Sequence, residues 1–430
     1  MSATLVYDTI VIGGGPGGST TGAFLARAGQ RVLILEKEFF PRFHIGESLL
    51  PFGNDVLKAS GAWPKVEAGG FMTKLGAEFV TGNSSKFHRF WFNNGLVPGY
   101  GQSFQVERSR FDDVLLKHAA ECGCDVRQGT MVKTVQIEAG GTEVTFPNGD
   151  GAHTARSRWV VDASGRDTFL ARTLQWKREP LDLPKRAAVF AHFKGVYRNP
   201  GAAAGHITIV RLKGGWFWFI PLDAEKTSVG LVSTLDKLKE SGETMQDRFE
   251  RTVMESSEIS QRLRDAQRVG EYFTASDYSY RFNQLATERA LLVGDAGGFI
   301  DPIFSSGVYI AIKSAQLATG LILRADQSRR GLTTGERARY AREVHRMMGV
   351  YFKMISLYYD DASFEVFMNP VSRFKLLAAI NSILAGNTRR SFAMWWRFLF
   401  FRTVCWIHHR RRIVPRLNFA DRAAARATSL

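Results

Sequence analysis

Three glycines near the start of the chain have the spacing of a dinucleotide-binding turn. Gly13, Gly15 and Gly18 follow a short apolar run and lead directly into a helix-like stretch. Such glycines permit a tight turn, a close approach of the backbone to a pyrophosphate, and close packing of helix on strand. A second apolar run ends in Glu36, 18 residues after Gly18, where a carboxylate can bind an adenosine ribose. The pattern predicts a dinucleotide site; the alternative is a glycine-rich turn that binds nothing.

Two further acids follow apolar runs later in the chain. Asp162 ends the run 159–162, which reads as a return to the nucleotide-binding sheet, and Gly294-Asp295 ends another. Polar groups at the carboxyl ends of parallel strands face the ligand crevice, so Asp295 is placed for a ribityl hydroxyl. The N–H groups of residues 305–308, at the start of a predicted helix, would form an anion pocket.

A loop and a lysine lie between the first strands and the middle of the chain. Gly46 and Pro51 bound a loop that opens a helix, with Ser48 as its predicted cap and Arg42 free to contact phosphate or a flavin edge. Lys74 is predicted at the beginning of a strand that follows a Gly-Gly turn. From its residue type alone, Lys74 is interpreted as a solvated surface lysine.

The middle of the chain is rich in strands and its last part is helical in pattern. Residues 187–282 lack the strand-helix alternation of a parallel sheet, which predicts an antiparallel sheet. Within it Trp216 and Trp218 alternate onto one face, where they could equally be ordinary core residues. The aromatic stretch 394–407, followed by basic residues 408–412, is too short and too charged to span a bilayer. It could cover the substrate domain, lie on a membrane surface, or dock a partner.

Composition limits the classes of protein that the chain can belong to. The 430 residues carry a net charge of +16, which favours an anionic partner or a solvated basic face. We find no nucleic-acid module and expect no nucleic-acid partner. Three cysteines, Cys122, Cys124 and Cys405, give neither a disulfide framework nor a metal site. With no secretory signal recognisable at the N-terminus, a cytoplasmic location is expected.

These residues together resemble the flavoprotein monooxygenase superfamily. The resemblance is carried by residues 13–18, Arg108, residues 162–165 and Gly294-Asp295. Three further stretches narrow it to flavin-dependent halogenases: residues 46–51, the W-x-W-x-I-P pattern of residues 216–221, and residues 301–308. It extends from residue 5 to about residue 360 and fades over the C-terminal segment.

The resemblance implies a function and a role for each motif. In flavin-dependent halogenases, reduced FAD, O2 and chloride or bromide give hypohalous acid, which a lysine directs onto the substrate. By this resemblance Lys74 is the catalytic lysine, which replaces its interpretation as a surface residue. Trp216, Trp218 and Pro221 would shield the flavin, and Ser305, Ser306 and Gly307 would bind halide. The implied cofactor contacts are Gly13, Gly15, Gly18, Glu36, Arg42, Ser48, Arg108, Asp162, Gly294 and Asp295.

One departure from the family pattern bears on the substrate. Tryptophan-type halogenases carry a glutamate where this chain has Phe304, and phenol- and pyrrole-type enzymes lack it. The resemblance therefore implies an electron-rich phenol or pyrrole, with residues 301–308 most similar to enzymes acting on carrier-bound pyrrole. The absence of a second nucleotide fingerprint predicts a separate flavin reductase. The alternatives are a flavoprotein hydroxylase, a geranylgeranyl-reductase-like oxidoreductase, or a flavin-binding protein without its own chemistry.

The predicted architecture is an α/β fold with a Rossmann-like FAD-binding domain, an antiparallel-sheet substrate domain and a helical C-terminal segment. The FAD-binding domain is assigned to residues 1–186 and 283–335, with residues 70–110 contributing to the substrate side. The substrate domain is assigned to residues 187–282 and the helical region to residues 336–430.

Overall fold

The computed structural model describes residues 5–148, 151–235, 242–277 and 279–419, which contain two seven-stranded sheets. The strands are β1 (Leu5–Ile12), β2 (Val32–Leu35), β3 (Met72–Lys74), β4 (Gly76–Thr81), β5 (Phe87–Trp91), β6 (Ser103–Gln105), β7 (Asp125–Arg127), β8 (Thr134–Glu138), β9 (Gly141–Asn148), β10 (Gly151–Asp162), β11 (Arg178–Pro180), β12 (Arg186–Lys194), β13 (Ile207–Leu212), β14 (Gly215–Pro221), β15 (Thr227–Thr234), β16 (Gln267–Asp277), β17 (Tyr280–Phe282), β18 (Ala290–Leu292) and β19 (Gly298–Phe299). The helices are α1 (Pro16–Arg27), α2 (Pro51–Ser60), α3 (Trp63–Glu67), α4 (Arg108–Glu121), α5 (Phe169–Thr173), α6 (Met245–Glu255), α7 (Ser257–Leu263), α8 (Gly307–Gln327), α9 (Thr334–Tyr359), α10 (Asp361–Phe367), α11 (Leu376–Leu384) and α12 (Phe392–Arg411).

The first sheet has a parallel core in the order β7-β2-β1-β10, with β18 also paired to β10. Its central strands are apolar and buried on both faces because helices such as α1 and α8 pack beside the sheet. Register places Ile12 opposite both Leu35 and Asp162. The turn after β1, Glu36 after β2 and Asp162 at the end of β10 therefore meet at one edge of the sheet, as a Rossmann-like fold requires.

The second sheet has the order β16-β12-β15-β14-β13-β4-β5. The four strands expected between residues 187 and 233 are present as β12 to β15. Two details differ from the expectation. The sheet is not wholly antiparallel, because β4 joins β13 in parallel register. Strand β17, inside the range assigned to this sheet, instead pairs with β11 and β19. The limits of the domains stay predictions.

The strand predicted to begin at Lys74 is divided in two. Lys74 ends β3, which pairs with β6, and the chain enters the second sheet only at Gly76. A Cβ at Gly76 would collide with the carbonyl oxygen of Phe90, so the neighbouring strand approaches too closely for any larger residue. The prediction that Lys74 begins a strand is therefore wrong, because the alternating pattern of residues conceals a change of sheet.

The C-terminal region is helical as far as residue 411, with α9 beginning two residues before the predicted boundary. The aromatic stretch forms α12, which packs on α10 and α11. Met394, Phe401, Cys405 and His408 lie on its buried face. Within the described ranges, none of the helices is both long and apolar enough to cross a membrane.

Candidate functional site

The glycine turn after β1 is built around backbone contacts that leave no room for side chains. Gly13 has a φ of +100°, which favours glycine, and a Cβ at Gly18 would overlap the carbonyl oxygen of Gly13. The amide of Gly14 donates to Oε2 of the buried Glu36 at 2.6 Å. At Gly15 the nearest atom to an added Cβ is Nη2 of Arg42, at 3.5 Å. The turn therefore keeps its backbone open beside a cation and a fixed carboxylate, which fits a dinucleotide.

The two predicted arginine contacts share one carboxylate. Arg108, at the start of α4, forms a bidentate ion pair with Asp112, with distances of 2.7 and 2.9 Å. Nη2 of Arg42 lies 3.7 Å from the same carboxylate. Arg108 also donates to the carbonyl oxygen of Ile45 at 2.8 Å. The buried carboxylate thus fixes both guanidinium groups beside the loop that leads to residue 51.

The two predicted acids have different environments. Asp162 is fully buried and its oxygens accept from the amides of Ser164 and Leu170, at 2.9 and 2.7 Å. Its carboxylate is occupied by the protein backbone, so its part in cofactor binding stays a prediction. Asp295, after Gly294, is half-buried, and burial raises its pKa to about 6 against the opposing charges of Arg166 and Arg108. Asp295 is the acid that remains available to a hydroxyl.

Lys74 is inside the protein, contrary to its interpretation from residue type. The side chain is 1% exposed, and Nζ donates to Oγ of Ser48 at 2.7 Å and to the carbonyl oxygen of Leu49 at 3.0 Å. Nζ also lies 5.2 Å from the centre of the Phe92 ring. No carboxylate forms a salt bridge with Lys74 within the part of the chain that the structure describes. Burial alone therefore lowers the pKa of Lys74 to about 7.

Ser48 does not have the local role that the sequence suggests. Helix α2 begins at Pro51, its N-cap is Leu50, and no side chain caps it. The prediction of a Ser48 cap is wrong because the hydroxyl turns to Lys74, 26 residues further along the chain. Whether Ser48 also contacts a cofactor stays a prediction.

The two tryptophans of β14 lie on one face of the sheet, with ring centres 5.8 Å apart. Nε1 of Trp218 donates to Oγ of Ser228 at 3.1 Å, and Nε1 of Trp216 donates to Oη of Tyr359 at 2.8 Å. Tyr359 in turn donates to Oδ2 of Asp301 at 2.7 Å. This chain of hydrogen bonds joins the second sheet, the end of α9 and the loop that precedes α8. Pro221 ends β14 and is buried.

The predicted halide loop lies between Asp301 and α8. Ser305 adopts the left-handed region with a φ of +57°, and Gly307 begins α8 with no atom within 4 Å of an added Cβ. The hydroxyl of Ser306 is buried and has no hydrogen-bond partner in the described chain. An unpaired donor beside a helix N-terminus is a suitable place for an anion. Phe304 is buried beside Phe79 and Tyr358.

Two residues of this region, Tyr359 and His206, are not predictable from the sequence. Tyr359 ends a long helix and carries no local motif. His206 precedes β13 and is 1% exposed, and its ring meets that of Trp91 at 4.4 Å. Neither residue belongs to a sequence motif, so no local signal could have selected it. In the described ranges, no group of three or more His, Cys, Asp or Glu side chains could hold a metal ion.

Known proteins resemble this chain over most of its length. The profile of the tryptophan halogenase family matches residues 8–99 and 53–367. A 1H-pyrrole-2-carbonyl-(peptidyl-carrier protein) brominase from Pseudoalteromonas luteoviolacea is 35% identical over 76% of this chain and 79% of its own length. The corresponding chlorinase from Pseudomonas fluorescens is 31% identical over 82% of this chain and 83% of its own. The structure of the flavin-dependent brominase Bmp2 matches with a TM-score of 0.84 at 28% identity, covering 94% of this chain and 100% of that one.

The close approach at Gly18 predicts a sensitive position for cofactor binding. Gly18→Ala must push the helix start away from the backbone of Gly13, and we expect FAD to bind about tenfold more weakly or worse. Gly349→Ala is the matched control, because nothing lies within 4 Å of its added Cβ. Titration of each purified variant with FAD, followed by flavin fluorescence, measures the effect. Equal affinities for the two variants would contradict this description of the turn.

The hydrogen bonds of Tyr359 predict a cost for removing one oxygen atom. Tyr359→Phe leaves the indole N–H of Trp216 without its acceptor and removes the hydroxyl donor to Oδ2 of Asp301, which keeps the amide of Ile303 on Oδ1. We expect a loss of about 1–3 kcal/mol in the free energy of unfolding. Tyr351→Phe removes a buried hydroxyl that has no partner within the described residues, so its effect should be within about 0.5 kcal/mol. Urea unfolding of both variants makes the comparison. A similar cost for both would show that the chain of hydrogen bonds contributes nothing.

Proposed function

The chain belongs to the tryptophan halogenase family and is a flavin-dependent halogenase. We propose that it halogenates a phenol or pyrrole and that Lys74 delivers the halogen to the substrate. The observation that carries the proposal is the burial of Lys74 without a carboxylate partner in the described chain. An amine with a pKa near 7 can donate a hydrogen bond to hypohalous acid as an ammonium or attack it as a free base.

The cofactor chemistry needs groups from one edge of the first sheet and from the neighbouring loops and helix α4. The residues proposed to hold FAD are Gly13, Gly15, Gly18, Glu36, Arg42, Ser48, Arg108, Asp162, Gly294 and Asp295. Reduced FAD, when bound, supplies with O2 the oxidising power that converts chloride or bromide into hypohalous acid. The proposed roles of this chain are to hold halide at Ser305, Ser306 and Gly307 and to exclude the substrate from the flavin with Trp216, Trp218 and Pro221. Lys74 then receives the neutral reagent.

The identity of residue 304 supports the proposed substrate class. Phe304 takes the place of a glutamate that could pair with the amine, and it is buried among aromatic rings. Without that carboxylate, the reagent held by Lys74 receives less activation, so the substrate must be a better nucleophile. Phenols and pyrroles meet this requirement. The family match supports this reading over the hydroxylase and reductase alternatives and over a non-catalytic flavoprotein.

The relatives named above act on a pyrrole carried by a peptidyl-carrier protein, and we propose further that the substrate of this chain is delivered on an acidic carrier protein. The docking surface would be the exposed face of α12, which combines Trp395, Leu399 and Trp406 with Arg402. These residues share one side of the helix, opposite the buried side chains, and the helix carries no acidic residue. A large exposed aromatic patch favours a partner, and the net charge of +16 favours an acidic one.

Two further parts of the proposal rest on the sequence. A separate flavin reductase would supply FADH2, because the chain has one nucleotide fingerprint. A cytoplasmic setting suits the three cysteines, which form no disulfide in the structure described.

The proposed role of Lys74 predicts a loss of product without a loss of oxygen chemistry. Lys74→Met conserves most of the side-chain volume, and we expect halogenated product to fall by about 100-fold or more while peroxide formation continues. Lys58→Ala, an exposed lysine on α2, is the control and should leave both rates unchanged. The assay supplies chemically reduced FAD, halide and a phenol or carrier-bound pyrrole. Undiminished halogenation by Lys74→Met would refute the role assigned to the lysine.

The lowered pKa of Lys74 also predicts a pH-dependent stability that needs no substrate. Since the folded pKa is about 7 and that of an unfolded lysine is 10.5, the unfolded chain binds more protons between these values. Burial of the charge therefore costs stability at pH 7, and this cost disappears as the pH rises toward 10. Relative to Lys74→Met, the wild-type protein should gain stability across this window. Unfolding curves are measured for both proteins at each pH. A difference in the free energy of unfolding between wild type and Lys74→Met that stays constant with pH would contradict the lowered pKa.

The docking proposal predicts binding that weakens with salt. We expect the affinity for a substrate-loaded acidic carrier protein to fall about tenfold between about 50 and 300 mM NaCl. Arg402→Glu should weaken binding at low salt, whereas Arg339→Glu, an exposed arginine on α9, should not. Calorimetric titration measures both effects. Salt-independent binding would refute the electrostatic argument, and binding of anionic lipid vesicles through the same face would replace the carrier with a membrane surface.

A further inference from the structure

A buried histidine beside Lys74 has no hydrogen-bond partner for either ring nitrogen among the residues that the structure describes. Nδ1 and Nε2 of His206 are both unpaired within the described residues, although the residue is 1% exposed. A buried polar atom without a partner costs about 1–3 kcal/mol, so two on one ring require an explanation. His88 also has an unpaired nitrogen, but only one, and it lies further along the neighbouring strand.

The position of His206 connects it to the segment that carries Lys74. A Cβ at Gly76 would lie 2.9 Å from Cε1 and 3.1 Å from Nε2 of His206, so the ring contacts the chain two residues after the lysine. On the other side, a Cβ at Gly205 would overlap the carbonyl oxygen of Thr73. Residues 205 and 206 thus touch the chain immediately before and after Lys74.

Other polar and aromatic groups lie around this point. Nε2 of Gln105 donates to the carbonyl oxygen of Gly205 at 3.1 Å, while Oε1 of the same buried amide is unpaired among the described residues. Trp91, opposite Gly76 in the sheet, faces the imidazole edge, and Phe92 lies against the amine of Lys74. Aromatic walls with a few unpaired polar atoms are typical of a site for a small aromatic ligand.

We propose that His206 accepts a hydrogen bond from the ring N–H or O–H of the aromatic substrate and so orients the ring toward Lys74. This inference rests on the proposed role of Lys74. Burial lowers the pKa of His206 to about 4, so the imidazole is neutral at pH 7 and one nitrogen keeps a free lone pair. No proton needs to be transferred. When the ring carbon attacks the halogen, positive charge spreads to the ring nitrogen or oxygen, and the hydrogen bond to His206 strengthens.

The test compares substrates that have the donor with analogues that lack it. For the wild-type protein, a phenol or pyrrole should have a KM about tenfold or more below that of its O-methyl or N-methyl analogue. His206→Phe keeps an aromatic ring without nitrogen atoms, and it should abolish this preference by raising the KM of the parent substrate alone. His206→Asn, which restores an acceptor, should recover part of it. His88→Phe is the matched control and should keep the full preference.

Direct binding measurements separate this inference from the proposed function. Dissociation constants for parent and methylated ligands, measured by calorimetry on the Lys74→Met variant, report the hydrogen bond without any turnover. A preference that disappears only with His206→Phe supports the inference even if no halogenated product forms. An equal loss of affinity for both ligands would assign His206 a structural role and overturn it. If His206→Phe fails to fold, the same affinities are measured for His206→Asn. The inference requires that this variant, too, prefers the parent ligand over the methylated ligand less than the wild-type protein does.

Discussion

The site depends most on one electrostatic constraint, the burial of the Lys74 amine with no opposing charge paired to it in the described chain. A lysine side chain in the protein interior is tolerated when it is paired or when it loses its proton. Lys74 has two neutral oxygen acceptors, from Ser48 and Leu49, and no salt bridge in the described chain. The site therefore cannot hold a fully stable ammonium at neutral pH. Desolvation by burial is therefore the cause of the lowered pKa of the lysine.

A second constraint connects parts of the chain that are far apart in sequence. Trp216 belongs to the second sheet, Asp301 to the loop before α8, and Tyr359 to the end of α9. The tyrosine hydroxyl accepts from the first and donates to the second. A shift of the C-terminal helices would therefore change both the tryptophan proposed to shield the flavin and the loop proposed to hold halide. The helical region is thus part of the site's framework, although it contributes none of the residues that the motifs identify.

The parts of the fold that were predictable are those encoded locally. The turn at Gly13, the acid at Glu36 and the strands β12 to β15 follow from spacing and alternation over a few residues. Ser48 and Lys74 were misjudged from residue type, because each is the other's partner across a long separation that no periodicity reveals. The change of sheet at Gly76 depends on an approach to Phe90, which is equally invisible in a linear pattern. The family resemblance supplied the role of Lys74 where the physical pattern could not.

The buried polar groups near the lysine share a further property that bears on the chemistry. His206 is neutral at pH 7, and Lys74 titrates near that pH, because both are removed from water. Hypohalous acid is uncharged at pH values below its own pKa. It can therefore enter such a region without the desolvation cost that an anion would meet. A carboxylate here would hold the lysine charged and add a charge to the path of the reagent. Without a carboxylate paired to Lys74 in the described chain, the nucleophilicity of the substrate ring must complete the reaction, and this favours phenols and pyrroles over less reactive aromatics.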